Sequence, residues 1–221
     1  MKLSEVKKEL LSKAKERFKI LGFKKQGNFI IKNVDDYQFY IGFGIVDNDN
    51  SFPTTFHYGI ASKTLNNIKL CVFPDRGLKK NDFSGAYSQK QTLLFDKKEY
   101  PILEYNIKSI VDIDAMVYDL WNYFEKTAIK KLENLQSVGS LGLLLNSKEM
   151  LDEAMHMPTA SINALILCKL TDNSKYGSIK QRFINISKDW SNWDKQELEK
   201  VVEFLDNHSQ EELLKIAENP A

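Results

Sequence analysis

The sequence has few cysteines and no long apolar run, and each absence excludes a class of protein. Its 221 residues include only two cysteines, Cys71 and Cys168. Neither belongs to a C-x-x-C motif, so a cysteine-based zinc site is excluded and a disulfide is not expected. No segment reaches the roughly 18 consecutive apolar residues of a membrane span, and residues 1–8 lack the apolar stretch of a secretion signal. We therefore expect a cytoplasmic protein with two buried free thiols and no membrane partner.

Arginine is also scarce, since the thirty-one basic residues include only Arg17, Arg76 and Arg182. The planar guanidinium suits phosphate groups and base edges better than the ammonium of lysine. The net charge is +1, but residues 1–32 carry ten basic and three acidic side chains, whereas residues 189–221 carry three and nine. Nucleic-acid binding is not expected. As a third hypothesis it would predict an affinity that falls steeply with salt and would use Lys7, Lys8, Lys15, Lys24 and Lys25.

The first half of the chain changes from helical to strand periodicity. Apolar residues recur at helical spacing over 3–21, and Gly22 is placed to end that helix. Residues 37–46 alternate between apolar and polar or small side chains, residues 55–61 do so again, and 29–32 form a short apolar run. Such alternation is typical of antiparallel strands with one buried face. The alternation puts Tyr37, Phe39, Ile41, Phe43 and Ile45 on the core face.

The second half has helical periodicity. Residues 113–132 predict one long helix with Asp112 or Asp114 as its N-cap, and 138–142 predict a break between helices. Asp194 and Ser209 are the expected N-caps of the last two helices, because each precedes a glutamate by three residues. Further helices are predicted over 147–157, 159–171, 177–187, 194–207 and 209–218. In the segment between the halves, 68–73 and 92–95 are candidate strands.

The predicted fold is therefore α+β, with an N-terminal helix on a mainly antiparallel sheet followed by an all-helical C-terminal half. The length fits one large domain, or one domain with an addition. We expect an α+β domain over 1–108 and a helical region over 109–221 that is packed on it or appended to it.

No motif assigns a reaction, a metal or a cofactor. His57, His156 and His208 are widely separated, and no serine lies in a G-x-S-x-G elbow. The turn that starts at Asp47 opens like a calcium loop but lacks the required glycine and the closing glutamate, and strand 42–46 lacks the stacking rings of an RNA-recognition module. No catalytic residue, metal ligand or cofactor is therefore predicted.

Four aromatic side chains are candidate binding residues. Tyr40 and His57 are predicted on the wetter face of neighbouring strands, where they could line a ligand site. The alternative for His57 is that it is a polar cross-strand neighbour of Tyr40. Trp190 and Trp193 lie in a polar turn, where large rings often mark a protein interface. The alternative is a structural one, in which both rings hold the last helices together, because an apolar residue such as Trp193 that precedes a helix packs on its first turn.

The stretch Leu-Gly-Phe-Lys-Lys-Gln-Gly-Asn-Phe at 21–29, directly after an amphipathic helix, resembles the L-G-F-K-(K/R)-x-G-x-x-F opening of the bacterial proteins grouped as domain of unknown function 4304. Residues 55–60 and 128–133 resemble the third strand and the end of the long helix of that family. The resemblance implies a cytosolic bacterial α+β protein without an assigned reaction. It transfers no catalytic residue.

The leading functional hypothesis is a non-enzymatic protein-interaction protein of an accessory or immunity-like kind. The missing catalytic motifs, the opposite charges of the two ends and the tryptophans at 190 and 193 favour it. The alternative is a small-ligand-binding domain or an unrecognised enzyme, with a pocket between the sheet and the C-terminal helices that Tyr40 and His57 would line.

Overall fold

The secondary structure confirms the predicted α+β class. The computed structural model describes residues 1–49, 51–80, 82–90, 105–148, 150–151, 157–171 and 173–220. Over these residues an N-terminal helix is followed by a mainly antiparallel sheet and then by a helical C-terminal half. The strand predicted at 92–95 and His156 lie outside the described residues.

The chain begins with helix and sheet and ends in a series of helices. The helix α1 (Leu3–Phe18) ends in a 3-10 turn (Lys19–Leu21) and precedes the strands β1 (Lys24–Gln26), β2 (Phe29–Val34), β3 (Tyr37–Ile45) and β4 (Phe52–Ser62). Next come α2 (Lys63–Val72), a 3-10 turn (Pro74–Arg76), β5 (Ser84–Lys90) and β6 (Tyr105–Ile107). The described helices that follow are α3 (Ile110–Tyr123), a π-helical turn (Phe124–Ala128), α4 (Ile129–Glu133), α5 (Val138–Leu145), α6 (Pro158–Thr171), α7 (Asn173–Ile186), a 3-10 turn (Ser187–Asp189), α8 (Asn192–Asp206) and α9 (Gln210–Glu218).

The chain forms two units that interleave along the sequence. The first consists of Met1–Ile60 and Ser88–Asn134, and the second of Ala61–Tyr87 and Leu135–Ala221. This division differs from the expected boundary at residue 108. The helix α3, although it follows that boundary, packs on α1 and β6, whereas α2, which precedes it, packs on α9.

The sheet has the strand order β1-β2-β3-β4-β5, and β6 also pairs with β4. The pairs β1–β2, β2–β3 and β4–β6 are antiparallel. In the second pair Ile30 lies opposite Ile41, and Ile31 lies opposite Tyr40. Because directly paired residues share a face, Ile30 and Ile41 belong to one face of the sheet and Tyr40 to the other.

The first unit buries an aromatic core. Phe18, at the end of α1, lies edge-to-face against Phe23 and Phe124, with ring centroids 5.7 and 5.4 Å apart. The Tyr58 ring on β4 is 5.3 Å from that of Phe124, and its hydroxyl is hydrogen-bonded to that of Tyr123 at 2.7 Å. The predicted helix 3–21 is confirmed, with Gly22 as its left-handed cap at φ 83°. Of the predicted core face of β3, Tyr37, Phe39 and Ile41 are buried, while Phe43 and Ile45 are half-buried.

The helix predicted from 113 begins earlier, and neither expected residue is its N-cap. It starts at Ile110, with Ser109 as the N-cap. Asp112 is the third helical residue, and its carboxylate accepts hydrogen bonds from the Ser109 backbone N–H and hydroxyl at 2.7 and 2.9 Å. The backbone N–H of Lys108 donates to the same carboxylate at 2.9 Å, and this bond, followed by those from Ser109, lowers the pKa of Asp112. A serine three residues before an acidic residue is itself a capping pattern, which explains why Ser109 is the N-cap of this helix.

The second unit is built around α6, which is buried on every side from Ser161 to Leu170. It packs against α5, α7, α8 and α9, as is typical of a helix without a polar face. In this unit, side-chain amides donate hydrogen bonds to backbone carbonyls of other helices. Gln210 donates to the carbonyl of Leu170 at 2.6 Å, and Asn67 donates to that of Ala217 at 2.7 Å.

Two sequence predictions in this unit are wrong. Residues 68–73 lie in the helix α2 and the residue after it and not in a strand, because the Ser62 side chain caps that helix and Leu65 and Ile68 fall on one buried face. Residues 138–142 lie in the helix α5 and are not a break between helices. Ser137 is the N-cap of α5, and its hydroxyl oxygen accepts the Ser140 N–H at 2.9 Å. Glycine lowers helix propensity, but here its small size is what the packing requires.

Gly142 allows α5 to approach α6 closely. A β-carbon at this position would lie 2.6 Å from Oγ1 and 3.0 Å from Cγ2 of Thr171. Thr171 cannot easily move away, because it is β-branched and its hydroxyl donates to the Leu167 carbonyl at 2.7 Å. The two helices therefore meet at a distance that excludes even a methyl group.

We predict that Gly142→Ala destabilises the protein by about 1–3 kcal/mol, because an added methyl group forces an overpacked interface apart. Gly139→Ala on the same helix is the matched control, since a β-carbon there would meet only the Ser137 hydroxyl oxygen at 3.7 Å. It should be neutral or stabilising by up to about 1 kcal/mol. Urea unfolding of both variants measures this, and equal stability of the two would contradict the close contact.

Candidate functional site

The two predicted ligand-binding residues lie on one face of the sheet around Phe29. The Phe29 ring centroid is 6.1 Å from that of Tyr40 on β3 and 6.0 Å from that of His57 on β4. Tyr40 and His57 are half-buried, and Phe29 is 42% exposed. The structure thus brings the two residues into one aromatic cluster, and their role in ligand binding stays a prediction.

Gly42 makes room for this cluster. It lies opposite Phe29 in the β2–β3 pair. A β-carbon on Gly42 would lie 2.3 Å from Nε2 and 2.5 Å from Cε1 of His57, and 2.9 Å from Cε1 of Phe29. The imidazole therefore covers the backbone of the neighbouring strand, a position that only glycine leaves open.

We predict that Gly42→Ala destabilises the protein by about 1–3 kcal/mol through this overlap. In a His57→Ala background the same change should cost at least about 1 kcal/mol less, because the imidazole that it meets is gone. A double-mutant cycle by urea unfolding checks this. Additive effects of the two changes would show that His57 does not cover Gly42.

The two predicted interaction residues differ in exposure. Trp190 is half-buried at the end of a 3-10 turn, where its backbone N–H donates to the Ser187 carbonyl at 3.0 Å. Trp193 is 61% exposed. It lies in the first turn of α8, whose N-cap is Ser191 and not the predicted Asp194. Trp193 therefore does not precede the helix, as the structural alternative assumes, but lies within its first turn.

Arg76 holds the exposed ring in place. Its guanidinium carbon is 4.0 Å from the Phe73 ring centroid and 4.9 Å from that of Trp193, so the guanidinium contacts both rings. The same side chain forms an ion pair with Glu197, which is buried. A shallow cavity of about 160 Å³ lies beside these residues and is also lined by Lys200. We call Phe73, Arg76, Trp193 and Lys200 the Trp193 patch.

The charge of Arg76 also acts on a neighbouring lysine. Burial, followed by repulsion from Arg76, lowers the pKa of Lys69 on α2 from 10.5 to about 8. At neutral pH the folded protein therefore carries a buried ammonium that the unfolded chain would keep in water.

Lys69 should consequently make the free energy of unfolding rise with pH. Between about pH 8 and 10 the unfolded state keeps the proton of Lys69 and the folded state has lost it, so the unfolded state binds more protons. From about pH 7.5 to 9.5 we expect the wild type to gain about 2 kcal/mol in the free energy of unfolding relative to Lys69→Met. Lys188→Met, at an exposed lysine, is the control and should follow the wild type. Parallel curves for the wild type and Lys69→Met, by urea unfolding, would contradict the lowered pKa.

Two arginines that contact aromatic rings, Arg17 and Arg76, are not predicted from the sequence as site residues. Arg76 is 117 positions before Trp193, so no local pattern connects them. Arg17 lies on α1 and stacks on Trp121 of α3, with its guanidinium carbon 4.2 Å from the ring centroid. Only the scarcity of arginine in a lysine-rich chain could have singled these positions out.

No group of three or more His, Cys, Asp or Glu side chains that could hold a metal ion occurs in the described part of the chain. Neither cysteine forms a disulfide; Cys168 is buried, as expected, whereas Cys71 is half-buried and not buried as predicted. None of the described helices combines the length and the apolar character that crossing a bilayer requires.

No protein-family model matches this chain, and neither a curated protein nor a solved structure is significantly similar to it. The resemblance of residues 21–29 to the domain of unknown function 4304 therefore stays a prediction.

Proposed function

We propose that this is a non-enzymatic protein-interaction protein that binds a protein partner through the Trp193 patch. The single observation that carries the proposal is an indole that is 61% exposed and is stacked on a guanidinium. Tryptophan and arginine are among the residues most enriched where binding energy at interfaces is concentrated.

The geometry around Trp193 favours binding because the patch is ordered before a partner arrives. Arg76 is fixed by Phe73 on one side and by the buried Glu197 carboxylate on another. A side chain that is already immobilised loses less conformational entropy on association. The cavity beside the indole offers space for a side chain of the partner.

The charge of the C-terminal region indicates a basic partner. Residues 189–221 carry nine acidic side chains and three lysines. Complementary charge speeds association and excludes partners of the wrong sign. We therefore propose a partner that places an apolar group on Trp193 and basic residues on the acidic side chains of residues 189–221.

An accessory or immunity-like role belongs to this class, because such a protein acts by occupying a surface of its partner. The family resemblance of residues 21–29 is consistent with it, since it implies no reaction. The products of neighbouring genes are the first proteins to test, together with a lysate of the encoding organism.

We predict that Trp193→Ala weakens binding of the partner about 30-fold or more, the equivalent of about 2 kcal/mol. Immobilised wild type and variant are exposed to the candidate proteins, and each protein that is retained is purified and titrated by calorimetry. Affinity for the wild type should fall as salt is raised, because the contact involves opposite charges.

Leu143→Ser is the matched control, since Leu143 is an apolar residue of the same unit that is 76% exposed. It should bind like the wild type. A partner that binds both variants equally would place the interface elsewhere, and the absence of any protein that distinguishes wild type from Trp193→Ala would contradict the proposal.

A further inference from the structure

The first unit has an open groove between α1 and α3, with a volume of about 540 Å³. Its walls carry Lys13, Glu16 and Arg17 from α1, Ile20 from the 3-10 turn that ends this helix, and Asp114 and Tyr118 from α3. Lys13, Arg17 and Ile20 are spaced by four and three positions and so share one side of the helical segment. This volume is in the range of small-molecule sites, which is about 300–1,000 Å³.

Arg17 is the cation of the groove with which no acid of the described chain is paired. Its guanidinium carbon lies 4.2 Å from the Trp121 ring centroid and 5.2 Å from that of Tyr118. Its Nε atom is buried and has no hydrogen-bond partner among the described residues. Within the same part of the chain, no ion pair involves Arg17. The donors that remain for a ligand are those of the two terminal nitrogens.

Lys13, the other cation of the groove, is already paired. Its Nζ atom is 2.6 Å from a carboxylate oxygen of Asp114 and 3.7 Å from one of Glu9. The hydrogen bond to Asp114 is the largest of the contacts that raise the pKa of Lys13. An incoming anion would have to displace Asp114 to reach Lys13, whereas Arg17 needs no such exchange.

Apolar surface lies beside the Arg17 guanidinium. Ile20, three residues after Arg17, is 76% exposed, and Tyr118 is 52% exposed. Large apolar side chains left open next to a charged group that is held in place suit an amphipathic ligand.

We propose that this groove binds a small organic monocarboxylate, with the carboxylate on Arg17 and the apolar part against Ile20 and Tyr118. A planar guanidinium binds a carboxylate in a bidentate geometry. Stacking on Trp121 keeps the Arg17 guanidinium in one orientation before a ligand binds. The carboxylates of Glu16 and Asp114 in the same walls disfavour a dianion, so a monocarboxylate fits better than a phosphate monoester. The excess of basic residues over 1–32 favours an anion in general.

The inference is independent of the Trp193 patch, because it concerns the other unit and a small ligand in place of a protein. Loss of partner binding in Trp193→Ala would leave it unaffected.

The test uses the full-length, isotope-labelled protein and a panel of linear and aryl monocarboxylates from acetate to decanoate, including 4-phenylbutyrate. We expect the larger acids to shift the NMR signals of Ile20 and Tyr118 in a saturable way, and Arg17→Gln to weaken their binding about tenfold or more. The neutral isostere 4-phenylbutanol, benzylphosphonate and a short acidic peptide should all bind more weakly than 4-phenylbutyrate.

Lys15→Gln is the matched control, because it removes one positive charge from an exposed position of α1 outside the groove. It should bind the acids like the wild type. Arg17→Lys keeps the charge but loses the fork, and it should recover only part of the affinity. Ile20→Ser, at an exposed position that does not support the core, should weaken decanoate binding and leave acetate unchanged.

Several outcomes would overturn the proposal. These are no saturable shift with any acid, equal binding by Arg17→Gln at unchanged thermal stability, equal loss in Lys15→Gln, or tighter binding of the phosphonate or the peptide than of any monocarboxylate.

Discussion

The edge-to-face packing of Phe18, Phe23, Tyr58 and Phe124 is the interaction on which the first unit depends. These rings come from α1, the segment after it, β4 and the π-helical turn that continues α3, so one cluster joins helix, sheet and helix. Aromatic pairs of this geometry contribute about 0.5–1.5 kcal/mol each beyond the area that they bury. The cluster also fixes α1 beside α3 in one register. Lys13 meets Asp114, and one turn further on Arg17 meets Tyr118, so the groove is a consequence of the core beneath it.

The second unit meets a different constraint, since its central helix α6 has no exposed side between Ser161 and Leu170. The side chains of such a helix must pack closely against every neighbouring helix. At Gly142 of α5 this packing leaves no room for a methyl group. The Leu170 carbonyl near the C-terminal end of α6 accepts a hydrogen bond from the Gln210 side chain. Burial of Lys69 is costly in this unit, and the lowered pKa of its ammonium is the physical result.

The sequence predicted what depends on local periodicity and missed what depends on contacts between distant residues. Strict alternation placed Phe39 and Ile41 in the core and Tyr40 on the opposite face, and a serine three residues before a glutamate correctly capped α9 at Ser209. The helix α2 was missed because a short apolar run has no clear period, and α5 because two glycines suggest a break. Arg17 and Arg76 were missed since their aromatic partners lie 104 and 117 positions away in the sequence, at Trp121 and Trp193.

Both units place a guanidinium on aromatic rings, yet the two arrangements differ in one respect that decides what each can do. Arg76 is paired with the buried carboxylate of Glu197, so its charge is used within the protein and its guanidinium contacts the exposed Trp193 ring. Arg17 has the same stacking on Trp121 without a paired acid in the described part of the chain, so its charge is available to an anion. A stacked guanidinium loses little conformational entropy when it binds a carboxylate. This favours ligand binding only where no carboxylate of the protein is already paired with the guanidinium. The first arrangement therefore suits an apolar contact with a protein, and the second suits a ligand that brings its own negative charge.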